Sequence, residues 1–174
     1  MIHILNTQYC ILDDVIQPRP GQRVELDLGC GSGGFTVALA KSKPDALIFG
    51  ADVMLGRLRK VEKLGKRNGV SNMELLRVEA RHLMSLIVPD SYFDRVHILC
   101  PDPWPKHKHK GNRLMAADFI GMKPETCLVV EDAKAGIQAA VAGGFDSAGL
   151  GEAAACGMAT YAMKTFGDLK GICG

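Results

Sequence analysis

The chain has 174 residues, of which 47% are hydrophobic and 23% are charged, and its formal net charge is +2. These values are typical of a globular protein with its own core, and no apolar run approaches the roughly 20 residues that a membrane-spanning helix needs. The first ten residues lack a basic leader and a small-residue cleavage site, so we predict no secretory signal.

The cysteines favour a cytoplasmic location. They are scattered, and none forms a C-x-x-C pair: Cys10, Cys30, Cys100, Cys127, Cys156 and Cys173. Unpaired cysteine is among the most buried residue types, and disulfides are rare in the cytosol. We therefore predict buried, reduced thiols, no metal site and no membrane association, and the sequence leaves the oligomeric state open.

Short apolar runs alternate with helical patterns from residue 24 onward. The strand-like runs cover residues 24–29, 46–51, 73–78, 93–100 and 126–130, with a weaker one at 145–150. The helical patterns cover residues 34–42, 55–68, 80–86, 114–121, 133–142 and 165–172. This alternation predicts an α/β fold, namely a doubly wound, mostly parallel, Rossmann-like sheet in three α/β/α layers. With no linker or repeat, we expect a single domain over residues 1–174 with strand order 3-2-1-4-5-6.

A glycine-rich turn follows the first of these strands. Gly29, Gly31 and Gly33 stand between a buried strand and a helix, and Asp27 precedes them. Glycine lets a ligand approach the backbone, and the helix beyond offers unpaired N–H groups. The spacing is G-x-G-x-G rather than the dinucleotide pattern G-x-G-x-x-G, and it resembles the first motif of class I methyltransferases.

Two acids end the next two strands. Asp52 lies 19 residues past Gly33, where a carboxylate can accept both ribose hydroxyls of a nucleoside. The alternative is a solvated residue at the strand end. Glu79 and Ala80 end the third strand and would border an adenine, with an ordinary surface acid as the alternative for Glu79.

The loop after the fourth strand is rich in proline. Pro101 and Pro103 flank Asp102 and restrict the backbone around it. Trp104 is the only tryptophan, and it is either a stacking platform for a base or a buried plug. The residues that follow form a basic strip suited to phosphate: Lys106, His107, Lys108, His109, Lys110 and Arg113. A second basic group lies along residues 55–68, where phosphate contacts and a solvated helix face both remain open.

These motifs together resemble the bacterial tRNA (guanine-N7) methyltransferases over about residues 21–120. The matching stretches are D-L-G-C-G-S-G, G-A-D and P-D-P-W-P-K. The resemblance implies S-adenosylmethionine as cofactor, held by Asp27, the three glycines and Asp52, and tRNA as partner. It implies that Asp102 holds the target guanine as the catalytic residue, with Trp104, Lys106, His107, His109 and Arg113 on the substrate side. Guanine N7 carries a free lone pair, so Asp102 would position the base and stabilise charge rather than remove a proton.

The C-terminal third departs from that family. The stretch V-E-D-A-K-A-G-I-Q-A-A, within residues 115–173, resembles haloacid-dehalogenase-type phosphatases and β-phosphoglucomutases. That resemblance implies magnesium-binding carboxylates at Glu131 and Asp132. The chain has no D-x-D motif for the nucleophile of that family, so we expect Glu131 and Asp132 to be strand-end acids, with a weak magnesium site as the alternative.

The two resemblances predict a chimera. Residues 1–120 would be the methyltransferase-like half and residues 121–174 the dehalogenase-like half, joined naturally or by engineering. Three functions follow: a tRNA (guanine-N7) methyltransferase, a recombined scaffold with cofactor binding at most, and a phosphatase-like hydrolase, which the missing D-x-D disfavours.

Overall fold

The computed structural model describes residues 1–5, 10–99 and 127–173. The chain divides into two compact units, Met1–His97 and Ile98–Gly174. Each unit is compact within itself. The single domain predicted over residues 1–174 stays a prediction.

The first unit is built around a five-stranded sheet. Its strands are β1 (Ile2–Ile4), β2 (Val24–Leu28), β3 (Leu47–Asp52), β4 (Met73–Arg77) and β5 (Arg95–His97). Its helices are α1 (Leu12–Val15), α2 (Gly34–Ser42), α3 (Leu55–Arg67) and α4 (Ala80–His82), the last followed by a π-helical turn, Leu83–Ile87. The strand order is β1-β4-β3-β2-β5, and every pair is parallel.

This sheet confirms the mostly parallel, Rossmann-like α/β class and the order 3-2-1-4 of the predicted strands. The sequence missed β1, a three-residue edge strand in which Ile2 pairs with Leu75 and His3 with Leu76. With three residues, Ile-His-Ile, β1 is shorter than the four to eight residues over which a pattern predicts a strand.

Both faces of the first sheet are covered. On one face, Ile48 packs with Leu39 of α2, and Leu75 packs with Leu58 of α3. On the other face, Phe49 makes edge-to-face contacts with Tyr92 and Phe93, at centroid distances of 6.0 and 5.5 Å. The apolar residues of β3 thus serve both faces, which is why its sequence reads as a continuous apolar run rather than an alternating one.

Asn72 fixes the turn that leads from α2 into β3. Its side-chain amide donates to the carbonyls of Ala40, Lys43 and Ala46, at 3.1, 2.9 and 2.9 Å. These bonds satisfy carbonyls at the end of α2 that lack a helical partner. They also set where β3 begins, and therefore where its last residue, Asp52, lies.

The second unit contains a three-stranded parallel sheet of order β6-β7-β8. Its strands are β6 (Leu128–Glu131), β7 (Asp146–Gly149) and β8 (Tyr161–Ala162). Its helices are α5 (Lys134–Ala142), α6 (Glu152–Ala155) and α7 (Leu169–Cys173), with a 3-10 turn over Phe166–Asp168. The fifth and sixth predicted strands, β6 and β7, pair as expected.

The structure has two sheets where the sequence predicted a continuous one. Strand β5 spans only three residues and ends at His97, short of the predicted end at residue 100. Leu99 then forms an isolated parallel bridge with Val130 of β6. The predicted helix over residues 114–121 lies outside the described residues. Among the residues that the structure describes, no helix is long and apolar enough to cross a membrane.

Candidate functional site

The glycine loop connects β2 to α2 through a backbone that favours glycine. Gly29, Gly31 and Gly33 have φ angles of 82°, 55° and 79°, all in the left-handed region. A Cβ at Gly33 would overlap the Val61 side chain of α3, so a glycine here lets the loop pack against that helix. Gly29 and Gly31 instead border open space. The loop therefore presents bare backbone where a ligand can approach.

Backbone bonds tie this loop to the end of β3. Gly29 and Cys30 both donate their N–H groups to the carbonyl of Ala51, at 2.9 Å each. The next N–H, that of Gly31, donates to Asp52 Oδ2 at 3.2 Å. Hydrogen bonds thus join the loop to the strand-end acid, and the contact of both with a cofactor stays a prediction.

Asp52 is buried and already held in place. It is 6% exposed, and its Oδ1 accepts the N–H of Met54 at 2.8 Å. Arg57 Nη1 lies 3.5 Å from Oδ2, and its side chain is 53% exposed. The alternative of a solvated strand-end acid is therefore wrong. A carboxylate has about four acceptor positions, and the two backbone bonds leave capacity for hydroxyl donors.

Asp27 is buried and bonded to α2, and its predicted contact with a cofactor stays a prediction. It is 2% exposed, and Thr36 Oγ1 of α2 donates to its Oδ2 at 2.6 Å. Burial raises the pKa of Asp27 to about 6, and the charge of Asp52 adds to this, although Thr36 and His97 act in the opposite direction. Asp27 thus supports the loop through α2, which the sequence alone did not indicate.

Of the cysteines that the structure describes, only Cys30 is buried, whereas Cys10, Cys127 and Cys156 are half-buried. The prediction of buried thiols is therefore wrong for those three. Burial raises the pKa of the Cys30 thiol to about 12, so that it stays protonated at neutral pH. Cys30 acts as a small apolar side chain beneath the loop.

Glu79 caps a helix. It is exposed, and its carboxylate accepts the N–H of His82 at 2.9 Å, so it is the N-cap of α4, which begins at Ala80. This geometry agrees with the reading of Glu79 as a surface acid. Contact of Glu79 and Ala80 with an adenine stays a prediction.

Sequence reasoning missed a buried ionic cluster around Glu25. This β2 residue is fully buried, and its Oε1 accepts Lys43 Nζ at 2.6 Å and Arg23 Nε at 3.0 Å. His97 of β5 donates to Oε2 at 2.8 Å and rests edge-on against Phe35. Burial alone would raise the pKa of Glu25, but the bonds from His97 and Lys43 lower it to about 2. The available signal was a pair of polar residues, Glu25 and His97, inside two strands predicted to be buried.

In the second unit, Glu131 ends β6 with an incomplete set of partners. It is 3% exposed, and its Oε1 has no hydrogen-bond partner among the residues that the structure describes. Burial raises its pKa, and the neighbouring Asp132 charge adds to this, against backbone N–H groups of Ala133 and Asp132 that stabilise the carboxylate. No group of three or more His, Cys, Asp or Glu side chains among the described residues could hold a metal ion.

The predicted substrate side lies outside the described residues. This holds for Asp102, Trp104, Lys106, His107, His109 and Arg113. Their roles stay predictions drawn from the resemblance of their motif.

The region of the chain that matches known proteins contains the glycine loop. Residues 21–127 match the family model described as "Putative methyltransferase". The chain is 32% identical over 98 residues to the tRNA (guanine-N(7)-)-methyltransferase of Thermotoga maritima, covering 56% of this chain and 31% of that one. It is 34% identical over 95 residues to the enzyme of the same name from Thermus thermophilus, covering 55% and 30%. The chain therefore spans about a third of the length of these two curated relatives.

Solved structures give only distant matches. Coclaurine N-methyltransferase matches with a TM-score of 0.40 and 20% identity, covering 51% of this chain and 25% of that one. PKMT2 from Rickettsia typhi matches with a TM-score of 0.43 and 22% identity, covering 54% and 18%. At these values neither structure informs the function of this chain.

Proposed function

The chain belongs to the methyltransferase family matched over residues 21–127, and we propose that it forms the S-adenosylmethionine-binding part of a tRNA (guanine-N7) methyltransferase. One observation carries the proposal: the Asp52 carboxylate is fixed by the N–H groups of Gly31 and Met54 beside a bare glycine backbone. Curated relatives named tRNA (guanine-N(7)-)-methyltransferase support the substrate.

The residues present fit such a cofactor. Side chains at Gly29 and Gly31 would fill the open space beside the loop, which glycine leaves free for a ligand. Asp52 would accept the ribose hydroxyls, since the carboxylate lies at the carboxyl end of a central strand. Arg57 is half exposed and its contact with Asp52 is long, so the hydroxyls can replace it at little cost.

Asp27 and Thr36 would keep the site in shape. Their 2.6 Å hydrogen bond joins β2 to the first turn of α2 on either side of the glycine loop. Because the loop does not have to rearrange, less ordering entropy is lost when a ligand binds.

When bound, the cofactor supplies a methyl group for guanine N7, whose lone pair needs no base to remove a proton. The protein itself has to bind and orient the guanine and to stabilise the positive charge on its ring. The resemblance assigns that task to Asp102, and the charge of the basic strip after it suits phosphate contacts.

Calorimetric titration with S-adenosylhomocysteine tests the cofactor site. We expect saturable binding by the full chain, weakened roughly 10- to 100-fold in Asp52→Ala because a hydrogen bond to a charged group is lost. The matched control is Asp90→Ala, which removes an exposed acid of the same unit and should bind as the unchanged protein does.

Absence of binding by folded protein, or equal binding by Asp52→Ala, would contradict the proposal. Binding without methyl transfer to a tRNA transcript would instead favour the scaffold that keeps the cofactor and has lost turnover. The chimera with a dehalogenase-like C-terminal half stays a prediction, and we propose no phosphatase activity.

A further inference from the structure

The net charge of helix α3 is more positive than that of the whole chain. Six of the 21 Lys and Arg residues and one of the 19 acidic residues lie in its 13 residues. The helix therefore has a net charge of +5, and the other 161 residues together have −3, which accounts for the overall +2. Such concentration on one helix is the pattern that binds polyanions.

The helix turns these charges away from the core. Leu58, Val61 and Gly65 form its buried stripe. At about 100° per residue, the side chains most nearly opposite that stripe form what we call the basic ridge. Its members are all exposed: Arg59, Lys60, Lys63 and Arg67.

The ridge residues differ from the other two cations of the helix. Arg57 pairs with Asp52, and Lys66 pairs with Glu62 at 3.4 Å. Within the described part of the chain, the four ridge residues form no ion pair. Like charges three or four residues apart, such as Lys60, Lys63 and Arg67, each destabilise a helix by a few tenths of a kcal/mol. An anionic partner would remove that repulsion.

The position of α3 links the ridge to the candidate cofactor site. Arg57 in its first turn contacts Asp52, and the helix extends about 20 Å from there. At the far end, Lys41 of α2 donates to Asn68 at 3.4 Å and adds another exposed cation. A nucleic acid lying on the ridge would thus have one end beside the candidate cofactor site.

We propose that the basic ridge binds the phosphate backbone of the tRNA substrate. The choice of tRNA rests on the proposed function, whereas the fit to a polyanion rests on the charges of α3. The ridge supplies sequence-independent affinity and orientation, because lysine and arginine contacts to phosphate position a nucleic acid without reading its bases.

The test compares two variants with the same change in net charge. The ridge variant is Lys60→Gln with Lys63→Gln and Arg67→Gln, and it leaves the Asp52 contact of Arg57 intact. The control is Arg19→Gln with Lys134→Gln and Lys164→Gln, three exposed cations elsewhere in the chain. Fluorescence anisotropy of a labelled tRNA transcript is followed between about 50 and 200 mM salt.

We expect the ridge variant to bind tRNA at least about 10-fold more weakly at low salt. Its slope of log K against log salt should fall by about 2 to 3, since each lost phosphate contact removes about 0.7 to 0.9. The control should keep the slope of the unchanged protein. Equal slopes for all three proteins, or an equal fall in the control, would overturn the proposal.

Two further measurements separate the outcomes. A random DNA duplex of similar length is titrated in parallel, and a loss of affinity for that duplex with unchanged tRNA binding would overturn tRNA as the occupant. S-adenosylhomocysteine binding should be unchanged in the ridge variant. If the unchanged protein failed to bind that ligand while the ridge result held, the proposed function would fail and the polyanion surface would stand.

Discussion

Glu25 in the first unit and Glu131 in the second are both glutamates buried in a parallel strand, yet their carboxylates meet opposite surroundings. The carboxylate of Glu25 has three partners, Arg23, Lys43 and His97, and its pKa falls to about 2. Within the described part of the chain, one oxygen of Glu131 has no hydrogen-bond partner, and burial raises the pKa of this residue. A buried acid therefore stabilises the first unit and weakens the second. The difference lies in what each fold brings to the carboxylate, since the residue type and burial are nearly the same.

The largest effect that sharpens this comparison is expected from Glu25→Gln. The variant keeps the shape but removes the charge from a buried cluster, and it should lower the free energy of unfolding by roughly 3 kcal/mol at neutral pH. Because the pKa of Glu25 is lowered from 4.5 to about 2, its contribution is complete above about pH 4.5 and is lost as the pH falls toward 2. Urea denaturation followed by circular dichroism measures both.

The control for that variant is Glu74→Gln. Glu74 is 28% exposed and pairs with His3 and the N-terminal amine, so its loss should cost less than about 1 kcal/mol. An equal loss in the free energy of unfolding for Glu25→Gln and Glu74→Gln would contradict the expectation that the buried cluster stabilises the protein more than the partly exposed one.

A smaller effect is expected from Gly136→Ala in α5. A Cβ at this position would overlap the carboxylate of Glu131, which must then move out of its place. We expect a loss of about 2 kcal/mol by thermal denaturation, typical of an overpacked core. Adding Glu131→Ala should recover part of that loss. Gly56→Ala in α3, where the space is open, is the control and should stabilise by about 0.5 to 1 kcal/mol.

The smallest effect is expected from Glu131→Gln, and its sign is opposite to that of Glu25→Gln. A raised folded-state pKa means that stability is lost as the pH rises through it. The neutral variant should therefore be more stable than the unchanged protein by about 1 kcal/mol near pH 8. That gain should vanish below about pH 4.5, where the carboxyl group is protonated in both states. Glu152→Gln, which changes an exposed glutamate of the same unit, is the control in the same melting series. A variant that is less stable at both pH values would contradict the comparison.

The sequence predicted the central strands and the glycine loop because their signals are local. The strands β2, β3 and β4 coincide with the predicted strand-like runs, and their ends agree with the prediction within one residue. Gly29, Gly31, Gly33 and Asp52 were predicted by spacing alone. Strand ends in a parallel sheet share one edge, so spacing along the chain is enough to bring such residues together.

What the sequence could not predict depends on register and on contacts between distant residues. His97 meets Glu25 across 72 residues only because β5 pairs with β2 so that Asp27 lies opposite His97. The two-residue strand β8 gives too short a pattern to be recognised. The helix predicted over residues 80–86 begins as α4 and continues as a π-helical turn from Leu83, a change in hydrogen bonding that residue periodicity does not encode.

The pairing of β1 with β4 has a consequence for the order in which the first unit folds. Ile2 and Leu75 are neighbours in the sheet although 73 residues separate them along the chain. Closing so long a loop costs entropy that only a nearly complete sheet can compensate, so we expect β1 to dock after β2, β3 and β4 have assembled. Until then β4 has an open edge, and a nascent chain remains vulnerable to pairing with a neighbouring molecule along that edge.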